Sequence, residues 1–248
     1  MTFLGLPNIT DQYEKVISDA SAVDLSKLVS PDATPCVLDG YKKQVEIILR
    51  LYSDPETSVQ ETAFGGGGTV PIAMVKPLSR GSILINTTDA TKPPVIDYQT
   101  FSHPTDLAVA VAALKKNREF FTAPSLQELG ATETNPGAEV ASDDDLAEKI
   151  RGFASSTWSH PVGTLPMMKK DLGGVVDHEL KVYGIKNLRC VDASIIPIIP
   201  ATHTSWPMYA IAEKVCFLFM RTVANTLSVA NQMFKAADLI KASANEHR

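Results

Sequence analysis

Glycine is sparse in this 248-residue chain and wrongly spaced for gripping a dinucleotide, since none of its 14 glycines falls into a Gly-x-Gly-x-x-Gly stretch. That spacing makes the turn that holds a dinucleotide pyrophosphate at a helix N-terminus, so these residues bring no such cradle. The one cluster, Gly65-Gly-Gly-Gly68, follows Glu61-Thr-Ala-Phe64 and enters a β-like run, Thr69–Val75, so it reads as a flexible turn. Cysteine is scarce as well. Cys36, Cys190 and Cys216 lie far apart, which excludes metal-ligand spacing and a disulfide framework. Positive charge is in deficit, 23 Lys and Arg against 28 Asp and Glu, and a net charge of −5 leaves no footprint for nucleic acid. Long apolar runs are missing too. Tyr209–Met220 is broken by Glu213 and Lys214 and followed by Arg221, so it reads as a buried helix, not a membrane span. Met1–Pro7 has neither the basic nor the apolar part of a signal peptide, which makes the cytoplasm the default expectation. The sequons Asn8-Ile-Thr10 and Asn86-Thr-Thr88 would matter only in a secreted protein.

What is there suits a globular chain, with 44% hydrophobic and 21% charged residues. Asp11–Ile17 reads as a short helix, and a longer one runs from about Gly40, capped by Asp39, to Tyr52, before Asp54-Pro55. Thr69–Val75 and Ser82–Ile85 read as a hairpin-like pair of strands, with Val95–Asp97 a short extended piece. A helix opens at Pro104 and carries Leu107, Val111 and Leu114 to about Phe121, preceded by His103 in a loop. Residues 122–145 read as a polar linker. Its closing Asp143-Asp-Asp145 precedes Leu146, Ile150 and Phe153 and is a helix start, not a metal site, since EF-hand spacing is absent. Past Arg221, an amphipathic helix would place Val229, Met233, Ala237 and Ile240 on one face.

The chain is organised around residues 156–214, where His160 and His203 sit in Gly- and Pro-punctuated settings. A lone histidine is more often structural than functional. Two on one pocket would make a proton-transfer device, because imidazole titrates near neutrality.

Ordered segments here carry a resemblance: His160-Pro-Val-Gly-Thr164, Gly174-Val-Val-Asp177, Val182-Tyr-Gly184, Leu188-Arg-Cys-Val-Asp-Ala-Ser194, Pro200 and Ala210-Ile-Ala-Glu-Lys214. With Pro77-Leu-Ser-Arg-Gly-Ser-Ile-Leu-Ile85 and Pro94-Val-Ile-Asp97 upstream, the chain resembles the C-terminal part of the glucose–methanol–choline (GMC) flavin oxidoreductases. The resemblance implies an α+β fold: an antiparallel sheet flanked by helices, plus a C-terminal strand (Leu188–Val191) and helix left from a flavin domain. Residues 1–155 would be the substrate-domain-like region and 156–248 the signature region, together one unit. It also implies that His160 takes the proton of a substrate alcohol and that His203, forty-three residues on, helps position that alcohol. Trp158, Thr204, Trp206 and Leu165 fall on the substrate side; the two tryptophans are either walls for an apolar substrate or core. Leu165 stands where the family commonly has a small residue or Cys, so the pocket there should differ in shape. Were FAD present, Asp192, Ala193, His203 and Thr204 would face it.

Hydride abstraction needs an electron sink that side chains do not offer. The leading expectation is therefore a cofactor-independent enzyme that uses the His pair for isomerase, lyase, dehydratase or cyclase chemistry on a small organic substrate. The alternative is the C-terminal half of a split or truncated FAD-dependent alcohol oxidase or dehydrogenase, with FAD brought by a separate N-terminal polypeptide. A third reading is a non-catalytic relic binding domain. In each, the strand and helix deprived of parental partners favour a homo-oligomer, with neither nucleic acid nor membrane as partner.

Overall fold

Proline at the first position of a helix costs nothing, because the N–H it lacks would be unpaired there and its φ is already helical. That rule opens two long helices. In the computed structural model, which describes residues 1–64, 69–89 and 91–224, Pro35 starts helix α3 (Pro35–Tyr52) and Pro104 starts α4 (Pro104–Phe121). Before them come strand β1 (Thr2–Gly5) and the short helices α1 (Leu6–Ile9) and α2 (Tyr13–Ser21). Helix α3 thus begins five residues before the expected Gly40, and Asp39 is an interior residue paired with Lys42 at 3.7 Å, not a cap.

Strand β2 (Ser58–Thr62) lies between β1 and β3 (Ile72–Met74), antiparallel to both, with Glu61 opposite Phe3 and Ala73. Its sequence, Ser-Val-Gln-Glu-Thr, is polar, yet all five residues are buried. Strands β4 (Ser82–Leu84) and β5 (Val95–Asp97) form a separate two-stranded ribbon. The hairpin expected between Thr69–Val75 and Ser82–Ile85 therefore does not form: each run pairs elsewhere, β3 with β2 and β4 with β5. Ile83 faces Ile96 and Leu84 faces Val95 on opposite sides of the ribbon, all four exposed.

The core gathers one stripe of α3 (Tyr41, Val45, Ile48, Tyr52) with Leu6, Val59, Leu78 and, from α4, Val109 and Ala113. Each valine, leucine or isoleucine of this set contributes about 1.5–3 kcal/mol on burial. The other face of α4 puts Leu107 and Val111 against Leu146 and Ile150 of α6 (Asp143–Phe153). Asp143–Asp145 occupy the first turn of α6, where Ser142 caps the amide of Asp145 at 3.1 Å. The stretch expected to be a linker also contains a one-turn helix, α5 (Pro124–Gln127).

The chain leaving β3 is fixed by side chains. Tyr52 and Tyr41 hydroxyls donate to the carbonyls of Lys76 and Leu78 at 2.8 and 2.9 Å. The carboxylate of Asp106, in the first turn of α4, receives the amides of Leu78 and Ser79 at 2.8 and 2.7 Å. Leu188–Val191 is not a strand. Its one ladder contact is the bridge Lys181–Arg189, because no extended neighbour among the described residues lies alongside to continue the pairing. The chain divides between Thr204 and Ser205, and the second unit begins with α7 (Ser205–Ala224). No described helix is long and apolar enough to cross a membrane. Gly65–Gly68 and the face of Val229, Met233, Ala237 and Ile240 lie outside the described residues.

His103 is no loose loop residue: it is fully buried at the N-cap of α4, its Nδ1 accepting the amide of Thr105 at 3.3 Å. The proton then sits on Nε2, which has no partner among the described residues. Burial holds its pKa below the ordinary value of about 6.5. The unfolded chain therefore binds the extra proton first, and stability should fall as pH drops below 6.5 until the folded-state pKa is passed. Urea midpoints between pH 5 and 7.5 should show this slope, and His103→Asn, which keeps a capping side chain, should flatten it.

Candidate active site

Residues 157–160 build a tight turn around the first histidine. Ser159 takes a left-handed φ of +60°, the His160 amide donates to Thr157 Oγ1 at 3.0 Å, and its ring Nδ1 bonds the carbonyl of Trp158. Downstream, Gly163, Leu165 and Met167 donate their amides to the carbonyls of Ala193, Ser194 and Ile195 at 3.3, 3.0 and 2.8 Å. At Gly163, with φ of +82°, a Cβ would meet the Ile196 carbonyl at 3.0 Å, so the approach of these two segments needs glycine.

His203 ends an irregular loop, and the two imidazoles meet with their Nε2 atoms 3.2 Å apart. Behind His203, its Nδ1 lies 2.9 Å from Glu61 Oε1; the Glu61 side chain is 3% exposed and that of His203 20%. Glu61 projects from β2, whose backbone is engaged on both sides. The arrangement is a relay of four groups: Glu61 carboxylate, His203, His160, Trp158 carbonyl.

A hydrogen inventory fixes the tautomers. A carbonyl only accepts, so His160 Nδ1 carries a proton toward Trp158; a carboxylate only accepts, so His203 Nδ1 carries one toward Glu61. Both Nε2 atoms are then lone pairs in the neutral rings, and a hydrogen bond between them needs one further proton in the gap. The pair is thus built to hold one shared proton beside a buried carboxylate.

Trp158 stands beside both rings, its centroid 6.1 Å from that of His203, edge-on at 84°, and 6.5 Å from that of His160. With 44% of its surface exposed it offers an aromatic wall. Thr204, next to His203, is buried. Leu165 is half-buried and tied to Ser194 by its amide. Asp192 caps the turn Ala193–Ile195, Oδ1 accepting the amide of Ser194 at 2.8 Å. Trp206 belongs to the second unit, on the first turn of α7, and its side chain is 73% exposed. His178 is exposed. Glu61 was not found from the sequence. It lies 142 residues from His203 in a strand whose polar composition gives no strand signal.

A family model described as GMC oxidoreductase matches residues 77–212, slightly more than half of the chain. Dehydrogenase xptC of Emericella nidulans is 38% identical over 202 residues, which are 82% of this chain and 32% of that protein. Among solved structures, an FAD-dependent oxidoreductase from Chaetomium thermophilum superposes with a TM-score of 0.84 at 33% identity, covering 89% of this chain and 38% of its own. A fungal aryl-alcohol oxidase gives 0.81 at 33% identity, covering 87% and 37%. The chain spans roughly a third of the length of these proteins.

Glu61→Ala removes a charge-assisted partner of His203 and should lower stability by about 1.5–3 kcal/mol. Glu61→Gln, which still offers an oxygen to Nδ1, should cost less than half of that. Urea denaturation of the two variants at neutral pH checks the order, and equal losses would show that the bond to His203 contributes nothing.

Proposed function

The chain belongs to the GMC oxidoreductase family, and from that premise we propose that it is the substrate-side portion of an FAD-dependent alcohol oxidoreductase, working with a separate FAD-binding portion. The observation that carries this reading is the Nε2–Nε2 contact of His160 and His203, backed by the buried Glu61 carboxylate. The names of its relatives, a dehydrogenase and an alcohol oxidase among them, favour it over the cofactor-independent isomerase or lyase reading.

The residues present fit one end of FAD. Asp192 spends one carboxylate oxygen on its own turn and leaves Oδ2 without a partner among the described residues. Short side chains, Ala193 and Thr204, stand near it and near His203 in sequence. Asp192, Ala193, His203 and Thr204 would face FAD, whereas its pyrophosphate has no glycine-turn cradle in these 248 residues. The chemistry that FAD supplies when bound is acceptance of a hydride.

This chain's part is the proton. Without the gap proton, two Nε2 lone pairs face each other at 3.2 Å. The proton of a substrate hydroxyl, taken by either ring, fills that gap and relieves the repulsion. The charge it brings is offset by Glu61, and His203 cannot turn away while Glu61 and the loop hold it. The exposed face of Trp158 suits an apolar or aromatic small-molecule alcohol.

Recombined with the FAD-binding portion of the Chaetomium relative, the chain should support alcohol-dependent bleaching of flavin absorbance. His160→Ala and His203→Ala should each lower turnover about 10²–10⁴-fold, and His178→Ala should leave it unchanged. Unchanged rates in both site variants, or turnover by the chain alone without flavin, would overturn the reading.

A further inference from the structure

The loop that delivers His203 is held in an unusual way. Residues 197–203 make no backbone–backbone hydrogen bond among the described residues; the last such bond before them is Ile196 N to Ala193 O at 3.2 Å. A histidine at the end of an untethered loop would not keep an Nε2 atom within hydrogen-bond reach of a second ring. Something else must fix the loop: Ile198 packs against the core, and two polar contacts set the path from there to His203. One is His203 itself, on Glu61 of β2. The other is four residues upstream, where the ammonium of Lys76 donates to the carbonyl of Ile199, and to that of Val75 at 3.3 Å.

Lys76 lies two residues past the end of β3, the neighbour of β2. It is 3% exposed and has no carboxylate partner among the described residues. A buried ammonium without a counter-ion is expensive, and burial pulls its pKa down to about 8. A methionine would fill the same space without that cost, so packing does not account for a lysine here. Three cationic N–H donors on one carbon stem do: they reach carbonyls that have no amide of their own to meet.

We infer that Lys76 is a positioning residue for the histidine pair, fixing the Ile199–His203 loop to the sheet at one end while Glu61 fixes it at the other. One anchor sits on β2 and the other in the bend just past its neighbour β3, so the short loop between them is closed into a ring. Pro200, next to the anchored carbonyl, stiffens it further. Loss of the Lys76 anchor frees one end, and His203 then swings about its bond to Glu61. This inference rests on the reading of His160 and His203 as the working pair.

The test is the histidine-ring ¹⁵N spectrum of the full chain, with no flavin required. Once acidification supplies the gap proton that a substrate hydroxyl would otherwise bring, the wild type should show a correlation between the Nε2 atoms of His160 and His203 through that shared proton. Lys76→Met should lose that correlation while far-ultraviolet circular dichroism and thermal unfolding stay cooperative, and Lys76→Arg, which restores a cationic donor, should recover it. If Lys76→Met does not fold, Lys76→Gln, which keeps an uncharged N–H, is read in its place and should weaken the signal. A correlation unchanged in a folded Lys76→Met or Lys76→Gln variant would overturn the inference alone. Its absence from the wild type at every pH at which the chain stays folded would overturn the histidine-pair reading and this inference with it.

Discussion

A single buried carboxylate closes the fold. Asp106, 2% exposed, takes the amides of Leu78 and Ser79, which have no strand partner where the chain turns away from β3. Buried amides must be paired somewhere, and no other described side chain pairs these two. Because Asp106 stands in the first turn of α4, it also enjoys the favourable end of the helix dipole. The contact joins the layers: α4 is bound to the segment that α3 grips through Tyr41 and Tyr52, and Leu78 is seated in the core between them. From that fixed segment Lys76 reaches toward the loop of His203, and the β2–β3 pairing places Glu61 behind the ring. The site thus inherits its geometry from a contact on which no substrate would act.

Helices with strong local signals were legible in the sequence. The helix from Pro104 to about Phe121 and the helix start at Asp143 agree with the structure, because proline, an acidic first turn and apolar spacing point the same way. Strands were legible only in part. Ser82–Leu84 and Val95–Asp97 have β-branched residues, but which run pairs with which depends on distant chain, and the expected hairpin joined the wrong pair. Ser58–Thr62 was invisible because its two neighbours, not its own residues, make it a strand. In the site, the family resemblance put His160 and His203 on one pocket, and the structure brings their rings together with Trp158 beside both. Glu61 and Lys76 did not, since a buried acid and a buried base look like surface residues until the fold covers them.

On the proposed reading, the chemistry of alcohol oxidation divides at a natural seam. Moving a proton needs positioned lone pairs, which imidazoles, a carboxylate and a carbonyl provide within one short relay. Moving a hydride needs a conjugated acceptor, and the turn that would hold its pyrophosphate is not in this sequence. Proteins more than twice as long contain the matching region as one part of themselves.

The β4–β5 ribbon has a colloidal consequence. A two-stranded ribbon is marginal by itself, and this one shows isoleucines on one face and a leucine–valine pair on the other. Pro93 and Pro94 precede β5, so they guard the chain that enters that strand; β4 has Ser82, Ile83 and Leu84 with neither proline nor charge. This apolar surface belongs to the folded protein. Stabilising the core by several kcal/mol would leave it exposed, so association through the native ribbon would persist however small the population of unfolded chains.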